Sequence, residues 1–512
     1  MRVAVLDLGS NSFRLQLSEI DATGTISGIH QERRMLHLGG VVALEGRLPD
    51  DVAERAVGTA RGLVDVAERI GTDRVFVVAT AALREAANGA EVVERLGTAV
   101  GVPVKVVDGD EEARLAFIGA QAAIRLDPGD RLVADLGGGS LELAAGEGRT
   151  VRWSTTHPLG VSRLHAELGG RERLKGKHRR AIEAAVDREL ETVDQPIPDQ
   201  VVVVGGAVRA LAELVLADRG GWVPPSVNHA RLTLDDLASV TDRLAPLTAS
   251  ERVDEHDVSE ARAANLPIAG VVLTAAMDRL GIESVTVSDW GLRTGLLVDA
   301  LDLDLPDGEA VWRRSAAALA DRFLPDDPHP GTVAGLVDQL WPQLRPLHEL
   351  GEDDRRIVVV AALLHDIGKA LALDGHHRHS AYLVEHAALR GLTPDELAAV
   401  LALVRYHRGG PPRRRYAPYG SLSGSRRREV RRMSAVLQLA DALDRSRDGA
   451  VERVVVGDDG ATLMLRLEGR DPRAPEPGPS AFRLEHVAKE LGRRLEFVVA
   501  PARDPWRPPA HP

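Results

Sequence analysis

Two stretches of this chain share one plan. AVLDLGSNSFRLQLSEI runs from Ala4 to Ile20, and RLVADLGGGSLELAAGE runs from Arg131 to Glu147. Each reads as an apolar strand, an Asp-x-Gly step, a few small polar residues and a second apolar strand. Glycine lets such a turn be tight and lets its backbone approach a ligand. Exposed N–H groups in the turn, with Ser and Asn side chains, can surround phosphate oxygens. An Asp at the strand end can hold Mg²⁺ directly or through water. A lone turn of this kind is an ordinary hairpin, since Gly, Ser and Asn favour turns anyway. Here there are two, with matched flanks. A third feature joins them, the strand QVVVVGG running straight into the helix AVRALAELVLA at Gly205 and Gly206.

The surrounding pattern fits a duplicated α/β architecture. Strand and helix signals alternate over the first part of the chain, from RVAVLDL to EEARLAFIGAQAAIR. A second such unit opens at Arg131 and closes near SVTVSDWGLRTGLLVDALDL. DLPDGEA reads as a linker, and the pattern after it is mostly helical. From Val451 a short strand–strand–helix–strand tail follows, ending in the Pro-rich ARDPWRPPAHP, expected to fray. A chain of 512 residues is expected to divide into two to four domains. The predicted division is 1–125, 126–305, 306–450 and 451–512.

Composition removes several functions. With no cysteine, disulfides, thiol catalysis and Cys-ligated zinc are excluded. A net charge of −12 argues against general nucleic-acid binding. No signal peptide or membrane-length apolar run is visible, so a cytoplasmic protein without a membrane partner is expected. Charge is uneven, however. RYHRGGPPRRRY and SRRREVRR lie close together with Glu429 the only acid between Arg405 and Arg432. On charge alone a solvated basic face is the better reading, and a polyanion track the alternative.

The two turns, Gly9-Ser10-Asn11-Ser12 after Asp7 and Gly137-Gly138-Gly139-Ser140 after Asp135, could grip one phosphate chain from both sides. This set resembles the actin/Hsp70/sugar-kinase superfamily, which is ribonuclease H-like. It resembles more closely one branch of it, the exopolyphosphatase/guanosine pentaphosphate phosphohydrolase (Ppx/GppA) family. The resemblance is carried by DLGSNSFRL, ATAALREAAN, DGDEEARLAFIGA, DLGGGSLEL, HPLGVSRL, VVGGAVRAL and VSDWGLRTGLL, in the family's order.

The resemblance implies two actin-like domains and Mg²⁺-dependent removal of terminal phosphate from linear polyphosphate. The sister activity, hydrolysis of guanosine pentaphosphate, would use the same residues. It also implies a catalytic Glu112 that activates water, with Glu111 the competing assignment, and a phosphate-binding Arg84. Glu142, with Asp135, would serve Mg²⁺ or the water's position, and Arg262 matches a further family arginine. Without the resemblance, Glu112 would read as an ordinary first-turn acid and Glu142 as an alternating strand residue. A homodimer is expected on the same ground.

In the helical part, LLHDIGK sets His365 and Asp366 side by side, with His329 before and Asp441 after. This order resembles the HD metal-dependent phosphohydrolases and implies a second divalent metal site on an all-α HD-like domain. Imidazoles and carboxylates from separate helices can converge on one ion. His376, His377, His379 and His407 are either further ligands or phosphate contacts. The favoured reading places His379, Arg405, His407 and Arg408 along a polyphosphate channel. Two other readings stay open. One is an HD phosphohydrolase with a regulatory N-terminal half, and the other a polyphosphate or alarmone sensor without turnover.

Overall fold

The computed structural model describes residues 1–499 except 257, 307, 471–472 and 474–476, and gives only the backbone at 261 and 477–483. The expected frayed end, 500–512, and part of the loop before it lie outside the described residues.

β1 (Arg2–Leu8) is buried on both faces over Val3–Val5, as a strand covered on both sides must be. It folds back through the first turn into β2 (Ser12–Ile20), and β3 (Ile26–Met35) continues the meander. β4 (Arg74–Ala79) and β5 (Val104–Val106) add in parallel on the other side, giving the order β3-β2-β1-β4-β5. The second sheet is built from β6 (Arg131–Leu136), β7 (Leu141–Glu147), β8 (Thr150–His157), β9 (Gln200–Val204), β10 (Arg231–Thr233) and β11 (Ser284–Val287). Its order, β8-β7-β6-β9-β11-β10, repeats the first sheet and adds one antiparallel edge strand. The register repeats as well. Asp7 lies opposite Arg14 on β2, and Asp135 lies opposite Glu142 on β7.

Apolar residues of both sheets share a core with two helices, Gly109–Gln121 and Leu292–Ala300. These helices cross at backbone contact. A Cβ on Gly295 would lie 1.8 Å from the Leu115 carbonyl oxygen, and one on Gly119 would lie 2.0 Å from that of Gly291. Arg114 fixes the crossing by bonding both Glu111 (2.7 Å) and Asp299 (2.8 Å).

The chain forms two compact units. The first comprises 1–219 and 227–311 and holds both sheets. The second comprises 220–226 and 312–512. The short segment 220–226 was expected in the second α/β domain. It belongs instead with the helices, where Trp222 packs on their core and donates from Nε1 to Glu385 (2.9 Å). The separate tail domain expected over 451–512 also differs. β12 (Val451–Asp458), β13 (Thr462–Gly469) and β14 (Arg494–Val499) form a sheet whose Val454, Leu463, Leu465 and Leu467 join the helical core. Gln339 and Gln343, on a helix, bond the backbone of β12. Three short strands have too little apolar surface to fold alone, so they borrow the helices' core. No helix among the described residues is long and apolar enough to cross a membrane.

Candidate active site

The two turns face each other. A Cβ on Gly138 would lie 3.1 Å from Asn11 Cβ, and one on Gly139 would lie 2.9 Å from Ser10 Oγ. Each turn is tied from behind by the segment that follows. Ser10 and Asn11 carbonyls accept from Gly39 and His37, while Gly137 and Gly138 carbonyls accept from Val161 and Ser162. Gly205 completes the rim. Its φ of 134° and the 2.5 Å from an added Cβ to the Leu136 carbonyl oxygen require glycine there. It also aims the N-terminus of the helix Gly206–Asp218 at the cleft, a favourable end for an anion. One cavity is lined by Asp7, the Gly9–Ser12 turn, Glu112, Asp135, the Gly137–Ser140 turn, Glu142, Gly205 and Gly206.

Four carboxyl groups meet in this cleft. Burial pushes Glu112 up to about 7, and Asp135 and Asp7 add to the rise while Arg84 opposes it. Burial likewise pushes Asp135 up to about 6 and raises Asp7. Glu142 is 2% exposed and well above the usual carboxylate range, from burial and from the charges of Glu112 and Asp135. Its Oε1 is buried with no hydrogen-bond partner. Acids crowded this way are poorly neutralised by the protein alone. An orphaned carboxylate oxygen within an all-oxygen donor set fits a hard cation such as Mg²⁺.

The choice between Glu111 and Glu112 has a geometric answer. Asp108 caps the helix by accepting from Glu111 N (2.8 Å), which starts the helix with Glu112 turned inward. Glu111 pairs with Lys105 (2.8 Å) and Arg114 (2.7 Å) and does not line the cleft. Arg84, expected on phosphate, is absent from the cleft's lining. Its Nη1 donates to Glu112 Oε2 (3.1 Å) and to the Val107 carbonyl oxygen (2.7 Å).

A group of arginines stands beside the carboxylates. Arg14, Arg33, Arg209, Arg262 and Arg293 line an adjoining cavity, and Arg14, Arg33 and Arg262 also line the cleft. Burial, with repulsion from Arg14, pushes Arg293 down to about 10. Burial and Arg209 do the same to Arg262, whose Nε is buried without a partner. Sequence reasoning found only Arg262. Arg14, Arg209 and Arg293 sit inside motifs read for their glycines and acids.

The second unit gathers His329, His365, Asp366 and Asp441 as expected. His329 Nε2 lies 3.2 Å from His365 Nε2 and 3.4 Å from Asp441 Oδ1, and His365 Nε2 lies 3.6 Å from Asp366 Oδ2. The channel reading needs correction at His407. It is 2% exposed and lies with Asp366, its Nε2 3.6 Å from Oδ1. Arg405 stacks over Tyr416, Arg408 is exposed and His379 is half-buried. Much of the second Arg cluster is structural. Arg426 bonds Asp354 and Glu429, Arg427 bonds backbone carbonyls, Arg431 pairs with Glu490 and Arg432 with Glu349.

Residues 17–304 match the Ppx/GppA phosphatase family, and residues 311–468 match Ppx/GppA phosphatase domain III. An uncharacterized protein of Streptomyces coelicolor is 31% identical over 340 residues, 65% of this chain and 99% of the relative. A Ppx/GppA family member from Aquifex aeolicus of known structure is 29% identical with a TM-score of 0.52, covering 59% of this chain and 97% of that one. An exopolyphosphatase from Cytophaga hutchinsonii, 24% identical, shares the fold with a TM-score of 0.55 over 59% of this chain and 98% of that one.

Proposed function

The chain belongs to the Ppx/GppA phosphatase family, whose members are hydrolases, and from that premise we propose that it is an exopolyphosphatase. It would release the terminal phosphate of linear inorganic polyphosphate in the cytoplasm, as a homodimer. The observation that carries this reading is the row of arginines running on from the paired turns. A terminal phosphate gripped by the turns leaves the rest of the polyanion to be neutralised, and arginine does this well. The cleft's lining has no aromatic side chain, so it offers a nucleobase no stacking surface.

The chemistry asked of the protein is small. A water oxygen bonds to the terminal phosphorus, the bridging P–O bond breaks and the departing chain keeps that oxygen. Glu112 accepts the water's proton, and its raised pKa suits a base working near neutrality. Arg84 holds the Glu112 carboxylate in one orientation. Ser10, Asn11, Ser140 and the turn backbones bind the terminal phosphate. Asp7, Asp135 and Glu142 would hold Mg²⁺, which supplies positive charge to the phosphate oxygens when bound.

The test is phosphate release with Mg²⁺ from long-chain polyphosphate and from guanosine pentaphosphate, beside Glu112→Gln. Faster release from polyphosphate, lost in the variant, supports the proposal. Preference for guanosine pentaphosphate transfers the same residues to the sister activity.

A further inference from the structure

The second phosphate turn is the looser of the two by sequence. It reads Gly137-Gly138-Gly139-Ser140, and glycine leaves a peptide plane free to rotate. The amide N–H groups of Gly138, Gly139 and Ser140 have no hydrogen-bond acceptor among the described residues, and all three residues line the cleft. What holds them lies on the carbonyl side. The Gly137 carbonyl accepts from Val161 N (3.1 Å), and that of Gly138 accepts from Ser162 N (2.9 Å) and Arg163 N (3.1 Å). For the third carbonyl a side chain takes over, and Arg163 Nε donates to the Gly139 oxygen (3.0 Å). In a trans peptide the C=O and the following N–H point opposite ways. Three carbonyls turned to residues 161–163 therefore turn the N–H groups of Gly138, Gly139 and Ser140 away from them, as successive donors for one anion.

Arg163 has a second partner. Its Nη2 pairs with Glu85, so two edges of one guanidinium are engaged together. Glu85 ends the short helix Ala81–Glu85, which follows β4 of the first sheet, whereas Arg163 follows β8 of the second. That helix touches both turns and the proposed base. Ala82 N donates to Ser10 Oγ (3.2 Å), a Cβ on Gly139 would lie 3.1 Å from Ala81 Cβ, and Arg84 holds Glu112. A guanidinium can serve a carbonyl and a carboxylate at once through donors at fixed angles, where lysine offers a single charged point.

We propose that Arg163 is a positioning residue, which fixes the Gly139–Ser140 peptide so that the Ser140 N–H faces the terminal phosphate. Through Glu85 it also ties the second turn to the helix that carries Arg84. The inference rests on the cleft being the terminal-phosphate site proposed above. Arg163 donates to protein and not to substrate. Without it the Gly139–Ser140 peptide can turn over, and the terminal phosphate loses a donor and its alignment with the water. A misplacement of about 1 Å can cost about 10²-fold in rate. A long polyanion keeps its remaining contacts on the arginine group, so the loss should fall on kcat more than on KM.

The experiment compares the full chain with Arg163→Ala, Arg163→Lys and Glu85→Ala, all with Mg²⁺. Tm should fall by only a few degrees, since the Arg163 and Glu85 side chains are 20% and 38% exposed. On long-chain polyphosphate, kcat should fall about 10- to 100-fold in Arg163→Ala and in Arg163→Lys, with KM little changed. Glu85→Ala should lose less, and adding it to Arg163→Ala should cost nothing further, because the two residues act as one unit. Low guanidinium chloride should return part of the lost rate to Arg163→Ala, and sodium chloride at equal ionic strength should not. The acid limb of kcat/KM should stay in place, as Arg84 still bonds Glu112. By calorimetry, imidodiphosphate, a non-hydrolysable pair of phosphates, should bind about tenfold more weakly to Arg163→Ala. Wild-type kcat and affinity in Arg163→Ala overturn the proposal, as does a moved acid limb, which would place the effect on Glu112. If Arg163→Ala does not fold, wild-type kcat in Arg163→Lys overturns it. If the wild-type chain binds imidodiphosphate but releases no phosphate from polyphosphate or guanosine pentaphosphate, the exopolyphosphatase reading fails. The variants' affinities for imidodiphosphate then decide the role of Arg163 by themselves.

Discussion

Arg84 Nη1 lies 3.1 Å from Glu112 Oε2, at the first turn of the helix that crosses Leu292–Ala300. The guanidinium holds the one carboxylate in the cleft that is raised to about 7, the group proposed to take a proton from water. Glu112→Gln keeps the shape and removes the base. Its kcat is expected to fall about 10²- to 10⁴-fold with KM little changed. Steady-state kinetics on polyphosphate read this, and equal kcat in both proteins removes Glu112 from the chemistry.

Arg84→Ala is expected to move the pH profile as well as lower the rate. Arg84 lowers the pKa of Glu112 against burial and the neighbouring acids. Without it the carboxyl holds its proton to higher pH. The acid limb of kcat/KM should therefore shift upward relative to wild type, with Arg84→Lys in between. An unmoved limb with lower kcat would assign Arg84 to phosphate instead.

The same acids make stability depend on pH in an unusual direction. Asp135 is pushed up to about 6 and Glu112 to about 7, and Asp7 and Glu142 are also raised. Unfolded carboxyls titrate near 4, so between about pH 4 and 7 the folded chain binds more protons than the unfolded one. Stability from these groups is then full below pH 4 and is lost as pH rises through 6 and 7. Without Mg²⁺, raising the pH from 5.5 to 7.5 should cost this cleft stability, and Mg²⁺ should raise Tm more at 7.5 than at 5.5. Melting curves at both pH values check it. A larger Mg²⁺ effect at 5.5 would contradict the crowding of the four acids.

Much of the fold was legible because its signals are local. The strand–Asp-x-Gly–strand repeats and the apolar helix periods lie within short windows, whereas the strand order rests on pairings between distant segments that such windows do not contain. Glu112 was separable from Glu111 only through the Asp108 cap and the Lys105 and Arg114 pairs, which involve other turns and strands. The arginine group was not legible as a group, since Arg14 and Arg33 meet as partners across the β2–β3 pairing and Arg209 and Arg293 come to them from two distant helices. His407 was misread for the same reason. Its neighbours in sequence are arginines, while its neighbours in space are His365, His376 and Asp366.

The helix crossing offers a purely steric test. Gly295 has a carbonyl oxygen where its Cβ would be, so Gly295→Val must push the two helices apart. Overpacking of this sort costs about 1 to 3 kcal/mol. Because Glu112 rides on one of the helices, kcat should fall with Tm. Gly62, exposed in the helix Asp50–Ile70 with nothing near its added Cβ, is the control: Gly62→Ala should leave kcat unchanged and raise Tm slightly, since alanine suits a helix interior better by about 0.5 to 1 kcal/mol.

The arginines supply the last prediction. If they carry the polyphosphate beyond its terminal unit, their removal should matter in proportion to chain length. Arg33→Ala with Arg209→Ala leaves the turns and the four acids in place. KM for long polyphosphate should rise about tenfold or more, while KM for tripolyphosphate, too short to span the group, should change less. Each lost phosphate contact should also flatten the dependence of log KM on log salt. Equal effects on short and long chains would confine these arginines to the terminal phosphate, and no effect on either would leave them as structural cations near Glu32 and Asp7.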